Sequence, residues 1–565
     1  MYFGQLFTDK NEKNYMARKN EYLASALEKL HSKNEDFIMI GLTGRTGSGC
    51  TTAAKILSSE QSNIEHSLFN EDVAENNFQR KEKILKKYFD KNWQPFIHLR
   101  VSSVLTLMLL DVENWSETKD FLTKQDCIRK NDLKFLFESH TELKKQDQNC
   151  KKDFYITYLS KLTDDIRNKL EEASFVKIYQ LLGRNARRSG SVTKDTMVPG
   201  AFFSIAQKIN EISIKLHDEN KGDHKSTYLT IDALRSPLEA SYFQERYASF
   251  YLLAISCTES IRKNRLNKKG LSEESIEQID KNEYASLDLG KEQSFTDQDI
   301  QGCLQRADIY IDSSLDRDEP NKTLANQIIK FVCLAQKPGL ITPTPEERCM
   351  QIAYTSKLNS GCLSRQVGAV VTNNNFSIKS VGWNDAPYGQ VPCNLRSVEE
   401  AGAKKDKIAY SPFELTDKEF QNSIEVRISQ FEKISHKGYN HSYCFKSEYN
   451  AIKKDKNQVH TRSLHAEENA FLQVSKDGGS GVLGGFLFTT ASPCELCAKK
   501  AYQLGMTKIF YIDPYPGISM EHILASGAIT QRPEMVLFNG AIGRAFHNLY
   551  TPISPYKDEL RALIS

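Results

Sequence analysis

Long apolar runs are missing from these 565 residues. No stretch approaches the ~18 consecutive apolar residues of a membrane-spanning helix, so no membrane association is expected. Residues 1–13 lack a basic segment followed by an apolar run, which argues against a signal peptide. Cysteine is sparse: 12 in the whole chain, mostly scattered, too few for a disulfide scaffold, and a reducing cytoplasm is the expected location. An excess of either charge is missing too. With 75 basic and 72 acidic residues the net charge is +3, so the whole chain has no electrostatic coat for nucleic acid, although a local basic patch stays open. No repeat at fixed period is visible. What is present is 39% hydrophobic and 26% charged residues, the balance of a folded globular chain, long enough for roughly two to four domains.

Strand and helix patterns alternate along most of the length. Residues 21–32 read as a charged helix. Asp36 to Gly44 reads as a buried strand ending in a glycine-rich turn, with a helix over Thr51–Leu57. Residues 71–175 carry helical apolar spacing among many charges and read as a helical insertion. Strands are expected at Tyr228–Asp232, Phe250–Ser256 and Ala307–Asp312, with a polar lid or exposed loop over 263–300 and a closing helix over Leu324–Ala335. Strands alternating with helices predict a parallel α/β sheet. Lys337-Pro338-Gly339 breaks the pattern, which divides the chain into domains 1–338 and 339–565. The second begins with a capping-box spacing at Thr344–Glu347. It continues with a strand over Gln366–Val371, a hairpin partner at Ser380–Trp383 and a polar insertion over 396–458. Helix 465–475, strand Gly485–Thr489, helix 494–504, strand Lys508–Ile512 and helix 519–526 then form a second, smaller α/β unit.

The strongest chemical signal is His465-Ala466-Glu467, then 25 residues, then Pro493-Cys494-Glu495-Leu496-Cys497. Zinc takes sulfur and nitrogen ligands in a tetrahedron, and three protein ligands leave a fourth position for water, the arrangement of a catalytic site. Cys494 and Cys497, at i and i+3, are neighbours on one helix face, and in a first turn their thiolates gain from the helix dipole. His465 is the third ligand, placed at a helix start. Glu467 is left to carry protons: from water, to N3 of a cytosine attacked at C4, and to the departing amine. Taken alone, Cys-x-x-Cys fits a core pair equally well. The whole set is the signature of the zinc-dependent nucleobase deaminases.

Gly44-Arg45-Thr46-Gly47-Ser48-Gly49-Cys50-Thr51, followed by Thr52, has P-loop spacing with one exception: Cys50 stands where lysine belongs. Backbone amides at a helix N-terminus bind phosphate without that lysine, whereas phosphoryl transfer uses it. The loop therefore reads as a nucleotide-binding site suited to sensing rather than kinase turnover.

Residues 344–550 resemble the deoxycytidylate deaminases. The resemblance rests on Ser360-Gly-Cys362, Arg365-Gln-Val-Gly-Ala-Val-Val371, Gly382-Trp-Asn384-Asp-Ala-Pro387, His465-Ala-Glu-Glu-Asn-Ala470, Ser492-Pro-Cys-Glu-Leu-Cys497, Tyr511-Ile-Asp-Pro-Tyr515 and Ser526-Gly-Ala-Ile529. The N-terminal half resembles nucleotide kinases in the P-loop spacing, in Gly183-Arg184-Asn-Ala-Arg187-Arg188, in Asp232-Ala-Leu-Arg235-Ser-Pro-Leu-Glu239 and in Arg262 and Arg265. Together the chain resembles the bacterial antiviral deoxycytidylate deaminases, which join a P-loop kinase-like domain to a deaminase domain. The resemblance implies a P-loop nucleotide-kinase-like parallel sheet followed by a cytidine deaminase-like α/β/α domain. It implies dCTP to dUTP and dCMP to dUMP conversion during phage infection, a homo-oligomer, and a regulatory RNA partner in some systems. It also implies that Asn384 contacts sugar or phosphate, that Tyr515 lines the pocket, and that the Ala466 amide and Ser492 carbonyl read the base edge. Cys362, Cys393 and His460 match part of a second zinc site, but Ser463 stands where the family has a glutamate, and this incomplete pattern favours buried free thiols. Three other readings compete: a deaminase of cytosine in single-stranded DNA or RNA, a kinase with an auxiliary deaminase half, and a zinc-stabilised RNA-binding module. Near-neutral charge weighs against the first, Cys50 against the second, and the presence of Glu467 against the third.

Overall fold

The computed structural model describes residues 36–146, 152–283, 292–314, 319–434, 437–476, 478, 481–513 and 519–564, together with 22, 25 and 26. The helix expected over 21–32 lies largely outside these residues. The chain divides into two compact units, Met1–Thr342 with Arg544–Ser565, and Pro343–Gly543. This differs from a single break at residue 338. The backbone of Gly339 donates to Leu549 O at 2.9 Å, Lys337 pairs with Glu559, and Leu549 is buried. Those long-range contacts tie the tail to the first unit, and no local pattern in the tail signals them.

In the first unit, β1 (Phe37–Thr43), β2 (Ile97–Arg100), β3 (Thr227–Asp232), β4 (Phe250–Ser256) and β5 (Ile309–Asp312) run parallel in the order β5-β4-β1-β3-β2. β1, at the centre, buries Ile38, Met39, Ile40 and Leu42 completely or nearly so. A continuous apolar run is what a strand covered on both faces requires. β2 corrects the reading of 71–175 as purely helical: Ile97-His-Leu-Arg100 joins the sheet beside β3. Four residues with two polar members carry too little pattern to stand out. The stretch 263–300 is also not an open loop throughout. It contains the end of the helix Glu259–Lys268 and the helix Glu273–Glu283, where Ile276 and Ile279 are buried.

The second unit is built on β6 (Gly368–Thr372), β7 (Ile378–Trp383), β8 (Phe486–Ala491), β9 (Lys508–Asp513) and β10 (Glu534–Leu537), ordered β10-β9-β8-β6-β7. β6 is antiparallel to β7 and β8, whereas β8, β9 and β10 are parallel, so this sheet is mixed. The helix Pro345–Ser356 opens with a complete capping box between Thr344 and Glu347. The helix Ala466–Lys476 lies hard against β7. A Cβ on Gly382 would meet Ala466 O at 2.3 Å and Ala470 N at 2.4 Å, so only glycine permits this approach. The insertion 396–458 has its own core around Val398, Tyr410, Phe420 and Tyr443. Arg396 is fully buried there, paired with Glu414 and donating to Tyr443 Oη at 2.9 Å. Among the described residues no helix is long and apolar enough to cross a membrane.

Candidate active site and glycine-rich loop

Two helix starts build the site of the second unit. His465 O accepts from Asn469 N at 2.8 Å, so His465 stands at the entrance of the helix Ala466–Lys476. Cys494 is the N-cap of the helix Glu495–Gln503, and Cys497 sits in its first turn. Ser519 Oγ donates to Pro493 O at 2.8 Å and secures the turn that presents the pair. The Sγ atoms of Cys494 and Cys497 lie 3.3 and 3.5 Å from His465 Nδ1. Among the described residues this is the one group of three or more His, Cys, Asp or Glu whose ligand atoms lie within 4.8 Å of one another. A tetrahedral zinc with bonds of about 2.0 Å to nitrogen and 2.3 Å to sulfur sets N to S separations at roughly 3.5 Å, so this donor set fits zinc. Cys362, Cys393 and His460 form no such group. His460 instead lies beside the Tyr449 ring, 4.5 Å between centroids.

In this closed cluster Cys494 gives up its proton while Cys497 and His465 hold theirs. The Cys497 hydrogen bond, helped by His465, pulls the Cys494 thiol down to about 3. Its hydrogen bond to Cys494, followed by burial, pushes Cys497 well up. The same Cys494 raises His465 above the ordinary imidazole value. Glu467 is 4% exposed, and burial raises its carboxyl above its ordinary value. Thr489 Oγ1 donates to Ala491 O at 2.8 Å and lies 3.4 Å from Glu467 Oε1. Thr489 has no signal in the sequence beyond ending a strand.

The remaining expected pocket residues divide. Ala466 and Ser492 are buried at the two helix entrances. Asn384 is turned to the backbone: its Oδ1 accepts from Val367 N at 2.6 Å and its Nδ2 donates to Arg365 O at 2.7 Å. It therefore orders the approach to β6, and its amide keeps one N–H and one lone pair beyond these bonds. Tyr515 lies outside the described residues.

In the first unit the glycine-rich loop follows β1, the strand at which the chain order of the sheet reverses. The crevice beyond the carboxyl ends of strands at such a point is where open α/β sheets bind ligands. Gly47 and Gly49 have φ of +90° and +116°, a backbone that side chains rarely adopt, and Gly49 caps the helix Cys50–Ser58. Gly44, Ser48, Cys50, Thr51 and Thr52 are in place around this turn, Ser48 buried and Thr51 exposed. Burial, then Asp232, pushes the Cys50 thiol up to about 12. Asp232 lies 3.5 Å from His98 Nε2 at the carboxyl end of β3. The loop carbonyls are taken by arginines: Arg262 Nη1 donates to Thr46 O at 3.2 Å and Arg265 Nη1 to Ser48 O at 3.1 Å. Arg235 donates to Thr46 Oγ1 at 3.2 Å and pairs with Glu283. Glu283, whose role no local motif announces, also accepts from Thr46 N at 3.2 Å.

Known proteins share the second unit. The cytidine and deoxycytidylate deaminase zinc-binding region matches residues 343–513. The deoxycytidylate deaminase of Enterobacteria phage T2 is 31% identical over 168 residues, 29% of this chain and 78% of that protein. That of phage T4 is 30% identical over 171 residues, 29% of this chain and 76% of that protein. The solved dCMP deaminase of cyanophage S-TIM5, in complex with dCMP and dUMP, aligns with 35% of this chain and 99% of its own at 21% identity and a TM-score of 0.21. At 31% identity across 78% of the T2 protein, the chain belongs to the cytidine and deoxycytidylate deaminase family, and residues 343–513 carry a hydrolase of the deaminase class.

Proposed function

We propose that this enzyme deaminates deoxycytidine nucleotides, dCMP and dCTP, to dUMP and dUTP with release of ammonia, and that its N-terminal unit is a nucleotide-responsive regulator. The observation that carries the reading is the convergence of His465, Cys494 and Cys497, with buried Glu467 beside them. Those three side chains would hold zinc, which when bound supplies a Lewis acid that lowers the pKa of water at its open position. Glu467, its carboxyl raised by burial, suits a group that must both accept and release a proton. It takes a proton from the attacking water as the oxygen bonds to C4 and passes it to N3, then takes the remaining proton of the new C4 hydroxyl and delivers it to the amine as the C4–N4 bond breaks and the C4 carbonyl forms. The Ala466 amide and Ser492 carbonyl are assigned to the base edge, the spare hydrogen-bonding positions of Asn384 to sugar or phosphate, and Tyr515 to the pocket wall.

The named activity of the phage T2 and T4 relatives supports dCMP as a substrate. Resemblance along both halves supports dCTP and depletion of the deoxycytidine nucleotide pool during phage infection. For the N-terminal unit, support comes from the glycine turn after a central parallel strand and from the arginines around it.

The test is ammonia and uracil formation by the purified protein given dCMP, dCTP, CTP and a cytosine-containing DNA oligonucleotide separately. Turnover of dCMP or dCTP with the oligonucleotide untouched is expected. Turnover of the oligonucleotide alone would overturn the assignment in favour of a strand-editing enzyme.

A further inference from the structure

The glycine-rich loop already holds an anion, and it is the protein's own. Glu283, at the end of the helix Glu273–Glu283, is fully buried. Its carboxylate accepts from Thr46 N at 3.2 and 3.3 Å and from Thr46 Oγ1 at 2.5 Å, and it pairs with Arg235. A loop amide, a hydroxyl and a guanidinium converging on one carboxylate are the donors that otherwise bind a phosphate group. Asp280, on the same helix, is 2.6 Å from Arg262 and 2.8 Å from Arg45, so two carboxylates of one helix are clamped against the arginines around the loop.

The same helix borders a cationic space. A cavity of about 440 Å³ is lined by Lys177, Arg184, Arg187, Lys281 and Gln298 among others. Lys281 belongs to the helix that ends in Glu283, and Gln298 Oε1 accepts from Arg235 Nη1 at 3.5 Å, so the cavity adjoins the loop. Arg187 is 4% exposed and bonds Glu239 through Nε at 2.8 Å, while its buried Nη1 has no hydrogen-bond partner. A buried guanidinium N–H left unbonded is costly, and a bound anion relieves that cost.

We propose that the helix Glu273–Glu283 is a displaceable plug: Glu283 occupies the anion position of the glycine-rich loop, and a nucleoside polyphosphate enters by expelling it. The proposal rests on the reading of the loop as a nucleotide site and adds how that site is kept closed. A carboxylate brings one negative charge to Arg235 and the Thr46 amide. A polyphosphate brings several, which Arg45, Arg235 and Arg262 can share once Asp280 and Glu283 leave. Cys50 supplies no positive charge to retain phosphate as a P-loop lysine does, so the competition is decided by the arginines.

The experiment is hydrogen exchange read by mass spectrometry, with calorimetry, on the full-length protein titrated with ATP and separately with inorganic tripolyphosphate. Residues 273–283 are expected to lose protection as ligand saturates. Glu283→Gln should bind tripolyphosphate at least about tenfold more tightly than the unaltered protein, the factor set when the open form is a tenth of the population or less. Glu274→Gln, at an exposed position of the same helix, should bind as the unaltered protein does. Equal affinities for the unaltered protein and Glu283→Gln, with protection of 273–283 unchanged on binding, would overturn the plug and leave the nucleotide site standing. No binding of either ligand to either protein would overturn the nucleotide site and the plug with it. The exchange measurement on unaltered protein needs no variant to fold.

Discussion

Cys494 caps the helix Glu495–Gln503 and Cys50 opens the helix Cys50–Ser58, so both thiols sit where a helix presents its positive end. Their proton affinities move in opposite directions. Cys494 is held at about 3 by the hydrogen bond from Cys497 and by His465. Cys50 is pushed to about 12 by burial and by Asp232. The helix terminus is common to both, so it is not what decides. The partners decide: two polar donors hold one thiol as a thiolate, and burial beside a carboxylate keeps the other neutral. The same contrast runs through the two sites. Around Cys494 the elements meet as a complete donor set for a metal. Around Cys50 the anion position is filled from a distant helix by Glu283.

The largest effect should come from Cys494→Ala. Elemental analysis should find the zinc complement gone and ammonia release should fall below detection; a retained full complement would end the assignment of this cysteine as a ligand. Glu467→Gln should retain zinc while kcat falls by about 10² to 10⁴, the usual contribution of a positioned acid–base group. Turnover near the unaltered rate would remove Glu467 from proton transfer.

Zinc affinity should fall as pH falls. In metal-free protein Cys497 and His465 both hold their protons above their ordinary values. Both must be released on binding, whereas Cys494 is already a thiolate, so the dependence reaches up to about a hundredfold per pH unit where both protons leave. A competition titration with a chromophoric chelator measures it, and a flat profile would contradict the cluster described here. The smallest effect is in alkylation. At pH 7 the low thiolate fraction of Cys50 outweighs its greater intrinsic nucleophilicity, so Cys494 of chelated protein should react roughly tenfold faster with iodoacetamide. Comparable rates in peptide mass spectrometry would erase the contrast between the two helix starts.

Much of the catalytic unit was legible because its signals are local. His465, Cys494 and Cys497 lie on two short motifs at helix starts, the capping box at Thr344 and Glu347 spans four residues, and β8 and β9 are apolar runs bounded by glycine or polar turns. β2 has no local signal because Ile97–Arg100 is short and half polar, and it becomes a strand only by pairing with β3. Asn384 matches the family motif, yet its amide bonds to the backbone of residues 365 and 367 were not readable from that motif.

By itself the sequence determined which chemistry is available: one nitrogen, two sulfurs and a carboxylate at deaminase spacing, and a glycine-rich turn after an apolar strand without its lysine. Periodicity, capping and motif spacing act over a few residues, and that range is enough for these features. Only the tertiary structure decided that Glu467 is buried, that the tail after Gly543 belongs with the first unit, and that Glu283 reaches Thr46 across 237 positions of the chain. Each depends on packing between segments far apart in sequence, where burial and ion pairing are set by which surfaces meet.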